Sequence, residues 1–154
     1  MTPLQISLLV LGILGVQLVP IILILRWVRR ASARQIGELR AELATTGERV
    51  LLGPESALYR GASSGSGYPR SRGNGAVVLT ERRLVVRRLA GAAVEVPAGE
   101  IAGVRTDRWF QGGWTGGRPH VIVKTRAGAE LGLFVADVDA WVAALQRLAS
   151  PSGP

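Results

Sequence analysis

Residues Leu4–Leu25 carry no charged side chain, and Gln5, Ser7 and Gln17 are their only strongly polar members. Such a run has no polar face to turn to water, so it cannot be a surface helix of a small domain. As a helix rising about 1.5 Å per residue it would reach about 33 Å, enough for a hydrocarbon core of about 30 Å. Gly12, Gly15 and Pro20 would weaken a soluble helix but are tolerated in a spanning one. Directly after the run, Arg26, Arg29, Arg30 and Arg34 arrive within nine residues.

An export signal is the rival reading. Such signals carry positive charge ahead of an apolar core of about 7–15 residues. Here nothing charged precedes Leu4, and the small residues Ala31, Ser32 and Ala33 that could suit cleavage lie beyond three arginines. Residues 1–30 are therefore read as a single-pass transmembrane anchor in the cell membrane. Its arginine collar stays on the cytoplasmic side, which puts the N-terminus outside and the rest of the chain inside. Arg26, Trp27, Arg29, Arg30 and Arg34 set that orientation; Trp27 suits the headgroup layer, and the arginines attract anionic lipid at about 1 kcal/mol each.

Residues 31–46 read as a helical juxtamembrane stalk, with Ile36, Leu39 and Leu43 at helical spacing and Thr45-Thr46-Gly47 as its end. Three apolar positions are few, so a solvated spacer is favoured over pairing with a second copy. From Val50 the period changes. Short apolar runs at 57–61, 75–80, 83–89, 92–97, 101–107, 120–128 and 130–136 alternate with Gly, Pro and Ser breaks, which predicts about seven antiparallel strands in a barrel or sandwich. The last element differs: Val138, Trp141, Val142, Leu145 and Leu148 form one helical face behind a capping Asp137. Residues 150–154 read as a disordered tail.

Four features of residues 47–149 resemble the bacterial PH-like (GRAM-related) domains: Gly47-Glu48, the hairpin Leu79-Thr80 with Arg83-Leu84, Val96-Pro97 with Ile101, and a closing helix with Trp141. The resemblance is especially to small actinobacterial membrane proteins in which one spanning helix precedes such a domain, some of them transporter- or export-associated. It implies a mainly β fold: a PH-like bent antiparallel barrel of about seven strands, with a C-terminal amphipathic helix plugging one end, preceded by one transmembrane helix.

The chemical kit is small. There are no cysteines and one histidine, His120, read as structural. No acid–base pair, metal set or nucleotide fingerprint stands out, so the expectation is a non-enzyme without cofactor or small-molecule substrate. The net charge is +8, and eighteen of the nineteen basic residues are arginine. Arg82, Arg83, Arg87 and Arg88 fall on one hairpin, but adjacent residues on a strand point to opposite faces. Arg82 and Arg83 are therefore read as solvated turn residues, and Arg87 and Arg88 as lying near a strand end or edge, so nucleic acid is not the expected partner.

Two segments could carry binding. The loop Gly61–Gly75 holds Arg70 and Arg72, with Arg60 at its base; glycine and serine make it mobile, and guanidinium groups suit phosphate oxygens. Lipid-binding PH domains use the corresponding loop, so Arg60, Arg70 and Arg72 are candidate headgroup contacts, against the alternative of a solvated loop. Trp109, Phe110 and Trp114 crowd four glycines in a tight hairpin, either as partner or interface aromatics or as a cover for the barrel. The expected function is a membrane-tethered module binding a protein partner or an anionic lipid headgroup. An accessory subunit of a transport or export complex is the alternative, and a nucleic-acid binder ranks last.

Overall fold

The computed structural model describes residues 2–150; the last four residues of the expected tail lie outside that range. Helix α1 runs Pro3–Thr46, 44 residues without a break. Its start is closed by a reciprocal cap: the Gln5 amide donates to the Thr2 hydroxyl, and the Thr2 amide donates to the Gln5 side chain. It passes through Pro20 and through Ala31–Ala33, and ends where Gly47 takes the left-handed conformation at φ 64° and donates to the Leu43 carbonyl. By length and composition α1 can cross a membrane.

The strands are β1 (Val50–Ala62), β2 (Gly73–Thr80), β3 (Arg83–Arg88), β4 (Val94–Pro97), β5 (Ile101–Asp107), β6 (Trp109–Phe110), β7 (Gly113–Trp114), β8 (His120–Thr125) and β9 (Glu130–Phe134). Seven form one sheet in the order β4-β3-β2-β1-β9-β8-β5, antiparallel at each pairing, while β6 and β7 make a separate small hairpin. Strand β1 is shared. It pairs with β2 along most of its length and with β9 from Leu58 onward, and its register shifts at three places. Such bulges bend a strand and increase its twist. The edges are β4 and β5, joined by a 3-10 turn at Ala98–Glu100.

Helix α2 (Val138–Ala149) starts where the Asp137 carboxylate accepts from the Ala140 amide at 3.0 Å. It packs across β5 and β8 and inserts Trp141 and Leu145, both fully buried, among Tyr59, Val77, Leu79, Leu84, Val121, Val123, Leu131 and Leu133 of the sheet's inner face. The indole N–H is satisfied by Glu55 at 3.0 Å. The architecture is therefore α+β rather than mainly β, because the apolar run and the stalk form a single long helix.

The stalk is not a solvated spacer. Leu39 and Leu43 are buried against Ala76, Val78 and Val85 on the outer face of β2 and β3, with Ile36 at the margin. Ser32, two turns nearer the N-terminus, is 6 % exposed. Each fully buried leucine contributes about 1.5–3 kcal/mol. The contact has a polar border: Gln35 donates to the Arg88 carbonyl at 2.8 Å, and Glu42 pairs with both Arg83 and Arg87.

Candidate functional site

The border of that docked helix accounts for most of the β2–β3 arginines. Arg83 lies on the outer face of β3. It binds Glu48 through Nη2 at 2.9 Å, Glu95 through Nη1 at 2.9 Å, and Glu42. The hydrogen bond from Arg83 holds the Glu48 carboxyl below the ordinary carboxylate range, and the Thr80 hydroxyl adds a second donor. Arg87, four residues along on the same face, meets Glu42. Arg88 points the other way, inward. It is 8 % exposed, lies 5.7 Å from the Tyr59 ring centroid and donates to the Ala92 carbonyl and to Ser71. Strand β3 is interior to the sheet, between β2 and β4. Arg83 is thus neither a solvated turn residue nor free. Arg87 and Arg88 do end β3, as expected, past the last residue paired with β4, but both are bound by neighbouring groups; three of the four arginines hold structure together.

The loop between β1 and β2 is pinned along its second half. Tyr59 donates its hydroxyl to the Pro69 carbonyl at 2.8 Å, and burial pushes that phenol up to about 12. Arg88 holds Ser71, and Arg72 donates to the Gln111 carbonyl at 2.7 Å, in the turn of the β6–β7 hairpin. The glycine- and serine-rich composition that suggested mobility is offset by Tyr59 and Arg88 reaching in from the sheet and by Arg72 reaching out to the β6–β7 hairpin.

Arg72 thereby approaches Arg60. Arg60 sits on the outer face of β1 and runs beneath the β6–β7 hairpin at Gly113, where an added Cβ would lie 1.6 Å from its Nη2. Next to it, Phe110 packs against Gly132 of β9, where a Cβ would meet the ring at 2.4 Å. Glycine at both positions lets the hairpin close on the sheet. Phe110 is 5 % exposed, whereas its neighbour Trp109 and the cross-strand partner Trp114 are 58 % and 66 % exposed. The three aromatics divide their roles: one seals the sheet, and two form an exposed indole pair.

His120 completes the cluster. It is fully buried, with its ring between Phe110 and Phe134, and its Nδ1 donates to the Asp107 carbonyl at 3.1 Å. Burial, with smaller contributions from Arg60 and Arg72, holds its pKa below the usual imidazole value. Burial and then the charge of Arg72 lower that of Arg60. Arg60 Nε and His120 Nε2 are both buried without a hydrogen-bond partner, and among the described residues no carboxylate pairs with Arg60 or Arg72. Two guanidinium groups held together with no acid between them make a local positive site, of the kind that a doubly oxygenated anion relieves. Arg70 is exposed nearby in sequence, without a side-chain partner among the described residues. Arg26, Trp27, Arg29 and Arg30 lie on α1 between the apolar run and the docked segment, and Arg34 lies within that segment, all with exposed side chains.

What sequence reading missed was the docking of α1. A signal was present: β2 and β3 are apolar at consecutive positions, "AVVL" and "LVV", and are buried at both parities. A strand covered on one face alternates, and one covered on both does not.

Fold and site together define a helix-tethered α+β domain with a cationic patch beneath an aromatic hairpin. No family model matches the chain, and no curated protein matches it. Among solved structures it is similar to the C-terminal domain of an unknown protein from Leishmania infantum, at 20 % identity and a TM-score of 0.48, over 71 % of this chain and 92 % of that one.

Proposed function

We propose that the chain is a non-enzymatic, membrane-tethered module whose PH-like domain binds a protein partner or an anionic lipid headgroup at the cytoplasmic face of the cell membrane. The carrying observation is the continuity of α1. The helix that leaves the apolar run is, within two turns, packed against the sheet. A domain fixed to its anchor in this way stays beside the bilayer surface, where weak contacts gain from high effective concentration. The uncleaved reading is supported by the same helix, because Ala31–Ala33 lies inside it and Ser32 is covered by the domain. The seven-stranded sheet with a core-inserted closing helix agrees with the plan that the PH-like resemblance implies. Arg60 and Arg72 supply the anion contacts, and Trp109 with Trp114 supplies an apolar surface for a partner or the lipid interface.

The test is vesicle flotation of residues 31–154, a fragment that keeps the docked half of α1. Wild type should float with anionic and not with neutral vesicles, Arg60→Gln/Arg72→Gln should lose most of that binding, Arg70→Ala should lose part of it as the third expected contact, and the exposed Arg82→Ala serves as the control for diffuse charge. Equal flotation of wild type and double variant removes the headgroup reading. The protein-partner reading is then tested by crosslinking in cells from Trp109 and Trp114.

A second reading, an accessory subunit of a transport or export complex, is favoured by a shallow groove on α1 lined by Leu9, Gly12, Ile13, Val16 and Gln17. Small residues let helices approach closely in a membrane, and a glutamine there can hydrogen-bond across them. Co-purification of a stoichiometric multi-spanning protein from detergent, lost in Gly12→Leu, would favour it.

A further inference from the structure

Where α1 emerges from the apolar run and meets the end of β3, a cleft of about 400 Å³ is lined by Trp27, Arg30, Arg34, Gln35 and Glu38 of the helix and by Leu89. We infer that this cleft seats the headgroup of a phospholipid bearing a primary ammonium, of the phosphatidylethanolamine class. The inference rests on α1 being a membrane anchor, and it concerns a site separate from Arg60 and Arg72.

The order of groups along the helix carries it. Trp27 comes first, nearest the apolar run, where an indole favours the boundary between acyl chain and headgroup. Arg30 and Arg34 follow, one turn apart on the same face, and neither makes an ion pair among the described residues. They are placed at the level of a phosphate. Beyond them come Gln35 and Glu38. Gln35 is fixed by donating Nε2 to the Arg88 carbonyl at 2.8 Å; the amide cannot flip without setting oxygen against oxygen, so Oε1 is held as an acceptor. That Oε1 is itself closed to solvent, so Gln35 forms a fixed wall of the cleft, and the acceptor open to a ligand is Glu38. Glu38 is one turn beyond Arg34, and helical side chains lean back toward the N-terminus, which brings its carboxylate over the same cleft.

Apolar ring, two cations, then a carboxylate is the complement, from bilayer outward, of acyl chain, phosphate and ammonium. A primary ammonium has three N–H donors for the Glu38 carboxylate. A quaternary choline has none, and the aromatic ring that could attract it lies on the wrong side of the arginines. A glycerol headgroup leaves the carboxylate without a cation.

The experiment is native mass spectrometry of the full chain in detergent, titrated separately with dioctanoyl phosphatidylethanolamine, phosphatidylcholine and phosphatidylglycerol and with soluble phosphoethanolamine. The ethanolamine lipid should bind about tenfold or more tighter than the choline lipid, the ratio that about one charge-assisted hydrogen bond supplies. Glu38→Gln should erase that preference. Arg30→Gln/Arg34→Gln should weaken all three lipids. All three positions are exposed, and unchanged thermal unfolding of each variant shows that the fold is kept. Equal binding of ethanolamine and choline lipids, or a preference that survives Glu38→Gln, overturns the assignment. Phosphoethanolamine binding as tightly as the lipid would make the ligand a soluble metabolite and overturns it too. Failure of the anchor reading shows separately, as release of the full chain from membranes by alkaline carbonate.

Discussion

At the scale of single residues, His120 ties the aromatic hairpin to the acid response of the fold. Its imidazole is neutral and buried between two phenylalanines, and two guanidinium groups oppose its protonation. A histidine whose pKa is lowered on folding is protonated more readily in the unfolded chain. Its contribution is therefore complete above the unfolded value of 6.5 and is lost as the pH falls below it. Glu48, also held low, acts further down, below its ordinary value of 4.5. Between pH 7.5 and 5.5 the histidine is thus read almost alone. Urea unfolding of residues 31–154 should show a midpoint that falls across this interval, and His120→Gln should flatten the fall. An equal slope in both proteins would mean that the imidazole is not shielded as the structure has it. Serine at Trp109 and Trp114, by contrast, should leave the midpoint unchanged, because both indoles are more than half exposed.

At the scale of elements, the consequential contact is between the second half of α1 and the outer face of β2 and β3. Leu39→Ala removes a fully buried leucine from a small satellite core, and such truncations cost about 2–5 kcal/mol. Urea denaturation of residues 31–154 with and without the substitution measures it; a loss below about 0.5 kcal/mol, the range of exposed substitutions, would mean that α1 does not dock in solution. A fragment cut at Gly47 would lay Ala76, Val78 and Val85 bare, and should unfold at lower urea or aggregate. The legibility of the sequence follows the same division. The seven runs of the sheet, the capping aspartate of α2 and the apolar length of α1 could be read locally, since each depends on period, caps and composition. The stripe Ile36, Leu39 and Leu43 was visible too, but its partner lies some forty residues away in the chain, and helical spacing says nothing about which surface fills it. The convergence of Arg60 and Arg72 was unreadable for a related reason. It depends on the β6–β7 hairpin folding back over Gly132, a tertiary event marked only by glycines.

At the scale of the whole molecule, the helix fixes the domain's position as well as its distance from the apolar run. A flexible stalk would let the domain diffuse beneath the bilayer. A helix docked from Ser32 to Leu43 gives it one orientation, and the side carrying Leu89 and the ethanolamine cleft lies nearest the apolar segment. The proposed function requires that side to face the cytoplasmic leaflet, which follows if the arginine collar is retained inside. The chain has no cysteine, so single thiols can report on this directly. Thr2→Cys and Ser150→Cys place a thiol at exposed positions at the two ends of the described chain. In intact cells a membrane-impermeant maleimide should label the first, and it should reach the second only after lysis. The opposite pattern would put the sheet, the indole pair and both phosphate-binding proposals on the outer side. Labelling of Ser150→Cys in a soluble fraction, with Thr2→Cys missing from the mature chain, would mean that the apolar segment is removed. The docked stripe would then stabilise a free domain rather than fix one to a membrane.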